Sequence, residues 1–532
     1  MKSHFILGII FCSFCLSMYA QRKIDVLHYK YELELSDKSD TIKGKASITI
    51  KFLQDIDTFA LGIKSQSAVN EFGLHAMLMN EDKYYMASVY FSNDKFNIIP
   101  SRKIKAGDTR TYLIYYDGIP GDGLIISKNK FGKRTFFSDN WPDRAHNWIP
   151  CNDDPGDKAS VEFFITAPSH YKVVANGILQ EEKELPGNKK LTQWKEDVPL
   201  PTKVMAIGVA DFAVDQKDTV NNIPVSSWVF EQNKNDGFKD YAPAAGILSF
   251  FINYIGPYPY KKLANVQSKT IFGGMENAGA IFYAENSVDG TQSQERLMAH
   301  EIVHQWFGDM ATEKNFSHLW LSEGFATYLA HIYIESKYGT DSLNNEMKKD
   351  RFKVLGFGKI YKHPVVDSIS SYMLLLNNNS YEKGSWILHM LRRQLGDSVF
   401  HQSIKEYYAT FAGKNADTHD LENVFEKVSG KDLSDFFQQW LYFIDNPSIN
   451  IKWRYSEPDK AIMLIVTQLQ ENIFRFPLDI AWKSASGKMQ AETLRISKRT
   501  ETFSFSAAEK MTRIIPDPNT SLLTEIIVEN IK

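Results

Sequence analysis

The chain runs to 532 residues, too long for one hydrophobic core, so about two to four domains are expected. A composition of 43% hydrophobic and 23% charged residues excludes extended disorder, and the 13% aromatic content suits β-rich cores. The formal net charge of −3 leaves no global basic field, which excludes nucleic acid or an anionic membrane surface as an electrostatic partner.

Residues 1–20 read as a leader. Lys2 supplies a short positive stretch, residues 5–16 an apolar run, and Ser17-Met18-Tyr19-Ala20 the small residues of a cleavage site. The apolar run is shorter than the ~20 residues that span a bilayer as a helix, so a cleavable signal peptide is expected rather than an anchor. Cys12 and Cys15 each follow Phe, which argues against a lipoprotein. Removing the leader leaves Cys151 alone, so no internal disulfide is expected despite export to periplasm or medium. Cys151 beside Pro150 reads as a packed small hydrophobe. No other stretch is long and apolar enough for a membrane span.

From residue 25 to about 212 the pattern is that of strands. Tyr29, Tyr31, Leu33 and Leu35 alternate with Lys30, Glu32 and Glu34, and Ala46, Ile48, Ile50 and Phe52 alternate with their neighbours. This period of two marks half-buried antiparallel strands. Residues 171–175 and 205–212 continue it, with Pro186-Gly187-Asn188 as a turn. Around Gly237 the period changes, and to about Phe443 the chain reads as mainly helical. Leu297, Met298, Ile302, Val303, Trp306 and Phe307 share one face; Phe325, Leu329, Ile332 and Tyr333 mark the next helix. Further helices are expected over residues 381–395, 398–411, 421–428 and 433–443. After Pro447 strands return at 449–455, 461–468, 477–482 and 493–497, a length suited to a small β-sandwich.

His300-Glu301-Ile302-Val303-His304 lies in the first of these helices. Four-residue spacing puts both imidazoles on one face, one turn apart, so both can reach one metal. Glu301 projects about 100° around the helix, beside the metal, where it can take a proton from zinc-bound water. Glu323, in Leu321-Ser322-Glu323-Gly324-Phe325 on the next helix, is the candidate third ligand. Three protein ligands with an open fourth position describe a catalytic zinc site rather than a structural one. His318, His331, His363, His389 and His419 read as packed or surface histidines.

Four motifs together resemble a family, the zinc aminopeptidases that include aminopeptidase N and leukotriene hydrolase. They are Gly273-Gly274-Met275-Glu276-Asn277-Ala278-Gly279-Ala280; the zinc helix continued through Gln305-Trp306-Phe307-Gly308-Asp309; Leu321-Ser322-Glu323-Gly324-Phe325-Ala326-Thr327-Tyr328; and Ser380-Tyr381-Glu382-Lys383-Gly384. The resemblance implies a multidomain α+β fold. Its parts are an N-terminal antiparallel β saddle over 21–212, a thermolysin-like, mainly helical catalytic domain over 213–446 and a β-sandwich over 447–532. The large helical C-terminal domain of many members is not expected here. It also implies one zinc ion per chain and peptide substrates with a free N-terminus. Glu276 then holds the α-amino group, with Gly273, Gly274, Met275 and Asn277 lining the substrate path. The bare glycines let backbone approach an extended substrate, and Tyr381 donates its hydroxyl to the developing oxyanion. Asp309 reads either as a group orienting a zinc-bound histidine or as a helix-end or surface residue.

Two departures stand out. Ala278 occupies a position where the family often has Trp, which is expected to reshape the pocket near the N-terminal side chain. Residues 138–155 contain no Glu or Gln to serve as a second amine-gripping residue, leaving Asp139 and Asp143 as candidates. The rival readings are an endopeptidase with the same ligand set, and a catalytically dead scaffold, against which stands the full set of ligands with Glu301 and Tyr381. The sequence assigns neither an oligomeric state nor a preferred N-terminal residue.

Overall fold

The computed structural model describes residues 22–65, 72–80 and 87–531; the expected leader lies outside them. Strand Ile24–Glu34 carries the expected alternation, with a change of phase. Ile24 and Val26 are buried, then Tyr29, Tyr31 and Leu33, because the register shifts between Val26 and His28. An extra residue there turns the odd-numbered side chains inward. This strand pairs antiparallel with Ile42–Phe52 and parallel with Ala159–Pro168, Tyr31 facing Ala46 on one side and Phe163 on the other. The parallel pair departs from the all-antiparallel expectation, since period-2 burial is the same in either direction. A seven-stranded sheet results, in the order Ile178–Leu185, Lys189–Leu200, Ala159–Pro168, Ile24–Glu34, Ile42–Phe52, Thr109–Ile119, Gly73–Asn80. A second sheet runs Lys172–Ala175, Ile207–Ala210, Arg134–Ser138, Leu124–Lys128. The N-terminal region is therefore β-rich.

The following region is helical, but it is built on a five-stranded sheet that the sequence reading did not place. Its order is Phe212–Val220, Ile223–Phe230, Leu263–Ser268, Ala280–Ala284, Gly274–Met275. Every residue of Leu263–Ser268 is buried. A strand covered on both faces shows no alternation, which explains the miss. The short strand Gly274–Met275 lies at the edge, antiparallel to Ala280–Ala284. Helix Glu295–His304 packs on helix Trp320–Tyr338, and Thr340–Ile360, Gly384–Leu395, Asp397–Phe411 and Thr418–Ser429 complete the layer. The helix expected over 433–443 is instead a short α segment, Ser434–Phe437, continued by a π-helical turn, Gln438–Tyr442.

The last seven strands form sheets of four (Thr500–Ser506, Ala461–Gln468, Ser448–Ser456, Glu525–Asn530) and three (Met489–Ile496, Phe476–Ser484, Met511–Pro516). Trp482 and Phe505, one from each sheet, pack with ring centroids 5.4 Å apart and ring planes tilted by 32°. Buried polar contacts fix this region to the helices: His389 Nε2 meets the Thr520 carbonyl at 2.9 Å, and Arg351 pairs with Asp517. Lys158 ties the N-terminal region to the chain just after the His304 helix. Its Nζ donates to the carbonyls of Asp309, Met310 and Lys414 at 3.2, 2.7 and 3.1 Å.

Candidate metal centre and substrate cleft

His300 and His304 stand one turn apart, and their Nε2 atoms face each other at 3.1 Å. Glu323, in the first turn of the neighbouring helix, places Oε2 at 3.3 Å from each. These separations form a near-equilateral triangle of two nitrogens and one oxygen. A tetrahedral zinc ion with bonds of about 2.0–2.1 Å requires ligand atoms about 3.3 Å apart, so the donor set fits. Glu323 Oε2 is buried and accepts no hydrogen bond, as a carboxylate oxygen awaiting a cation would be. Among the described residues, these three form the one cluster of His, Cys, Asp or Glu able to hold a metal.

Packing sets the triangle. His304 Nδ1 lies 3.1 Å from the Phe307 carbonyl and 3.2 Å from Ser322 Oγ, which orients the ring with Nε2 inward. Gly308, at φ +118°, makes this turn possible; a Cβ there would overlap Ser322 Oγ and crowd His304. Tyr381 sits in a π-helical turn, Asn379–Lys383, that leads into helix Gly384–Leu395. Its ring stacks on His300 at 6.0 Å and 13°. Such turns re-aim a side chain that a regular helix would carry elsewhere.

One cleft contains this constellation. Glu301, Tyr381, Gly273, Gly274, Met275 and Glu276 all line it with the three candidate ligands. Gly274 passes so close to Glu301 that a Cβ would overlap its carboxyl group. Glu276 is 5% exposed and its Oε1 has no partner. Asn277 is buried behind the cleft wall, with both polar atoms of its side chain unpaired, and does not line the cleft. Ala278 is also fully buried and does not line the cleft.

The electrostatics ask for cations. Burial pushes Glu301 well above the usual carboxylate range, against His304, with Glu276 and Glu323 adding to the rise. Glu276 is raised by burial in the same way. Burial holds His300 down to about 4, while the surrounding carboxylates, Glu323 foremost, overcome burial at His304 and lift it to about 10. Burial and then Glu323 push the Tyr381 hydroxyl far up, so it stays protonated. Lys203 is near, but its ammonium is held by Glu313 at 2.5 Å. Buried acids in this number are stable only with compensating positive charge, which a divalent metal and a substrate ammonium would bring.

Two residues, Gln305 and Trp141, escaped the sequence reading. Gln305 donates Nε2 to the Glu276 carbonyl at 2.7 Å and to Asp309 Oδ2 at 2.9 Å, and its Oε1 accepts the Gly279 N–H at 2.7 Å. Asp309 is fully buried, so it is no surface residue; its side chain orients Gln305, and its main-chain N–H donates to the His304 carbonyl at the helix end at 3.1 Å. Among residues 138–155, neither Asp139 nor Asp143 reaches the cleft. Asp139 is consumed by Arg144, Thr270 Oγ1 and the Ile271 N–H, while Asp143 lines a separate shallow depression with Ser371, Tyr372 and Met373. The residue from that stretch that does line the cleft is Trp141. Its apolar side chain carried no signal for a role next to charge.

Comparison with known proteins matches two family models. One, described as the Peptidase M1 N-terminal domain, covers residues 26–204; the other, the Peptidase family M1 domain, covers 242–440. Similar curated proteins include "Probable aminopeptidase 2" of Sulfurisphaera tokodaii, 29% identical over 56% of this chain and 40% of that protein. "Glutamyl aminopeptidase" of Rattus norvegicus is 24% identical over 83% of this chain and 49% of its own length. "Alanine/arginine aminopeptidase" of Saccharomyces cerevisiae is 25% identical over 91% and 59% respectively. The chain thus spans about half the length of the curated relatives it matches.

Proposed function

Because the chain belongs to the peptidase M1 family, we propose that it is a zinc-dependent aminopeptidase hydrolysing the N-terminal peptide bond of peptides. His300, His304 and Glu323 would hold one zinc ion per chain. Bound there, zinc supplies Lewis-acid polarisation of the scissile carbonyl and acidifies a water.

The remaining chemistry falls to the chain's own residues. Glu301, beside the ligand helix face, accepts the proton of the attacking water. Tyr381 donates its hydroxyl to the oxygen on which negative charge develops. The unpaired edge of Gly274–Met275 receives the substrate backbone as an added strand, with no Cβ at Gly274 to displace Glu301. Glu276 pairs with the α-ammonium. The observation that carries the exopeptidase reading is this last carboxylate, buried in the cleft wall with Oε1 free and its main chain clamped by Gln305.

Supporting the finer domain reading (saddle over 21–212, thermolysin-like domain over 213–446, β-sandwich over 447–532) are the separate sheets of each region. The chain is read as exported, on the leader-like residues 1–20. Among the described residues, no helix is long and apolar enough to cross a membrane.

The test compares one peptide with its N-terminus free and acetylated, using zinc-loaded protein. Cleavage confined to the free form is expected. Equal cleavage of both would overturn the exopeptidase reading in favour of an endopeptidase, and no cleavage of either would overturn the catalytic one.

A further inference from the structure

The end of the cleft beside Glu276 differs in character from the other end. Arg296, Asp350, Lys353 and Glu382 line the part beside the start of the His300 helix. The two acids there are engaged, Asp350 with His331 and Glu382 with Lys353, each at 2.8 Å. At the Glu276 end, Trp141, Phe272, Met275 and Leu376 line the cleft and belong to one apolar cluster. With Asp139 and Asp143 committed elsewhere, Glu276 is the carboxylate of this end with an unpaired oxygen, and Trp141 lines the same cleft and packs in one cluster with Met275, the residue before Glu276.

Trp141 is built to hold a fixed position. It is 2% exposed, and its ring meets Phe272 at 6.2 Å and 89° and Phe316 at 5.7 Å and 69°. Its indole N–H has no partner, so packing alone sets the ring plane. A rigid indole face is the aromatic surface that attracts cations best. It also adds no charge to a centre already crowded with buried acids, where a further carboxylate would have to be desolvated and compensated.

We propose that Trp141 is the second amine-binding and specificity-determining residue of the cleft. Its ring carries the face of the substrate's α-ammonium left open by Glu276 and walls the seat of the first side chain with apolar surface. The inference rests on the aminopeptidase reading and selects, among N-terminal residues, those with apolar side chains.

Kinetics of the zinc-loaded Trp141→Phe, Trp141→Leu and Trp141→Met proteins test it. With leucine p-nitroanilide, the Leu and Met variants should raise KM about tenfold while kcat stays within about twofold; the Phe variant should stay within about threefold of wild type. Inhibition by 3-methylbutan-1-amine and by the uncharged 3-methylbutan-1-ol separates the two roles of the ring. The amine should weaken about tenfold in the Leu and Met variants and the alcohol hardly at all. Equal losses of both inhibitors, or Phe and Leu variants that behave alike, would overturn the amine-binding role. Wild-type preference for free over acetylated peptides is scored separately, so loss of the aminopeptidase reading shows there and not in the variants. Should the Leu variant fail to fold, the Met variant decides.

Discussion

Gln305, the residue after the second candidate ligand histidine, donates its side-chain amide to the main-chain carbonyl of Glu276 at 2.7 Å. The same side chain accepts the Gly279 N–H at 2.7 Å and is held from behind by Asp309. The Glu276 loop is thereby indexed to the helix that carries His300 and His304. This amide is one of the contacts that set the distance between the proposed metal and the proposed ammonium seat, beside the Asn176 amide on the Ala278 carbonyl and the Met275–Phe282 strand pair.

Replacing Gln305 with Ala removes four buried hydrogen bonds, the fourth being the one its Oε1 accepts from the Tyr258 hydroxyl at 3.2 Å, each worth about 1–3 kcal/mol when a partner is left unsatisfied. The Gln305→Ala protein should unfold at lower denaturant, keep its metal, and show KM raised by about tenfold or more for peptides. Urea unfolding, metal analysis and steady-state kinetics check this. An unchanged KM would remove the clamp from substrate positioning.

The two glycines of the first motif should respond differently. An added Cβ at Gly274 overlaps the Glu301 carboxyl, while at Gly273 the nearest atom is Leu297 Cδ2 at 3.9 Å. Gly274→Ala should therefore displace Glu301 and lower kcat by about tenfold or more, whereas Gly273→Ala should leave kcat within about twofold. Side-by-side kinetics with thermal midpoints decide it, since both variants should remain folded.

Glu301→Gln should keep zinc by metal analysis and lose nearly all turnover, because an amide cannot accept the proton. Tyr381→Phe should lose about 10²–10³ in kcat with little change in substrate affinity, as a lost oxyanion donor does. Retained turnover in either variant would reassign that residue.

Lys262 makes stability pH-dependent. Burial lowers its pKa to about 7, with Glu196 opposing, while its Nζ donates to the Gly279 carbonyl at 2.8 Å. The unfolded chain holds this proton up to the ordinary lysine value of about 10.4, so between about pH 7 and 10 it binds more protons than the folded protein. Stability from this group accordingly rises with pH in that window, by up to about 1.4 kcal/mol per unit. Below it, where both states are charged, the full penalty applies. Lys262→Met should flatten the rise measured by urea unfolding from pH 7 to 9. Lys158, also lowered to about 7 by burial, leaves a residual slope. The Gly279 carbonyl still accepts the Ala264 N–H in the variant.

Legibility in the sequence tracked burial on one face. Strand Ile24–Glu34 hides one side, so its period shows directly. Strand Leu263–Ser268, hidden on both, buries Asn265, Gln267 and Ser268 along with Leu263, Ala264 and Val266, so no alternation marks it and the five-stranded sheet went unplaced. The short irregular segments failed for another reason. The π-helical turn that aims Tyr381 is set by packing of its flanking helix, and no residue type encodes it.

What the sequence determined by itself was the chemistry held within short stretches of chain. Helical spacing put His300, Glu301 and His304 in fixed relation before any tertiary contact formed, and four ordered motifs pointed to the family. Only the tertiary structure decided relations between segments far apart in sequence. It brought Glu323 Oε2 to 3.3 Å from both imidazoles and buried Asp309 behind Gln305. It also turned Asp139 away from the cleft and left Trp141 on its wall. The physical reason is the same in each case: a local period fixes a direction relative to its own helix or strand, whereas the neighbour met in that direction depends on how the elements pack.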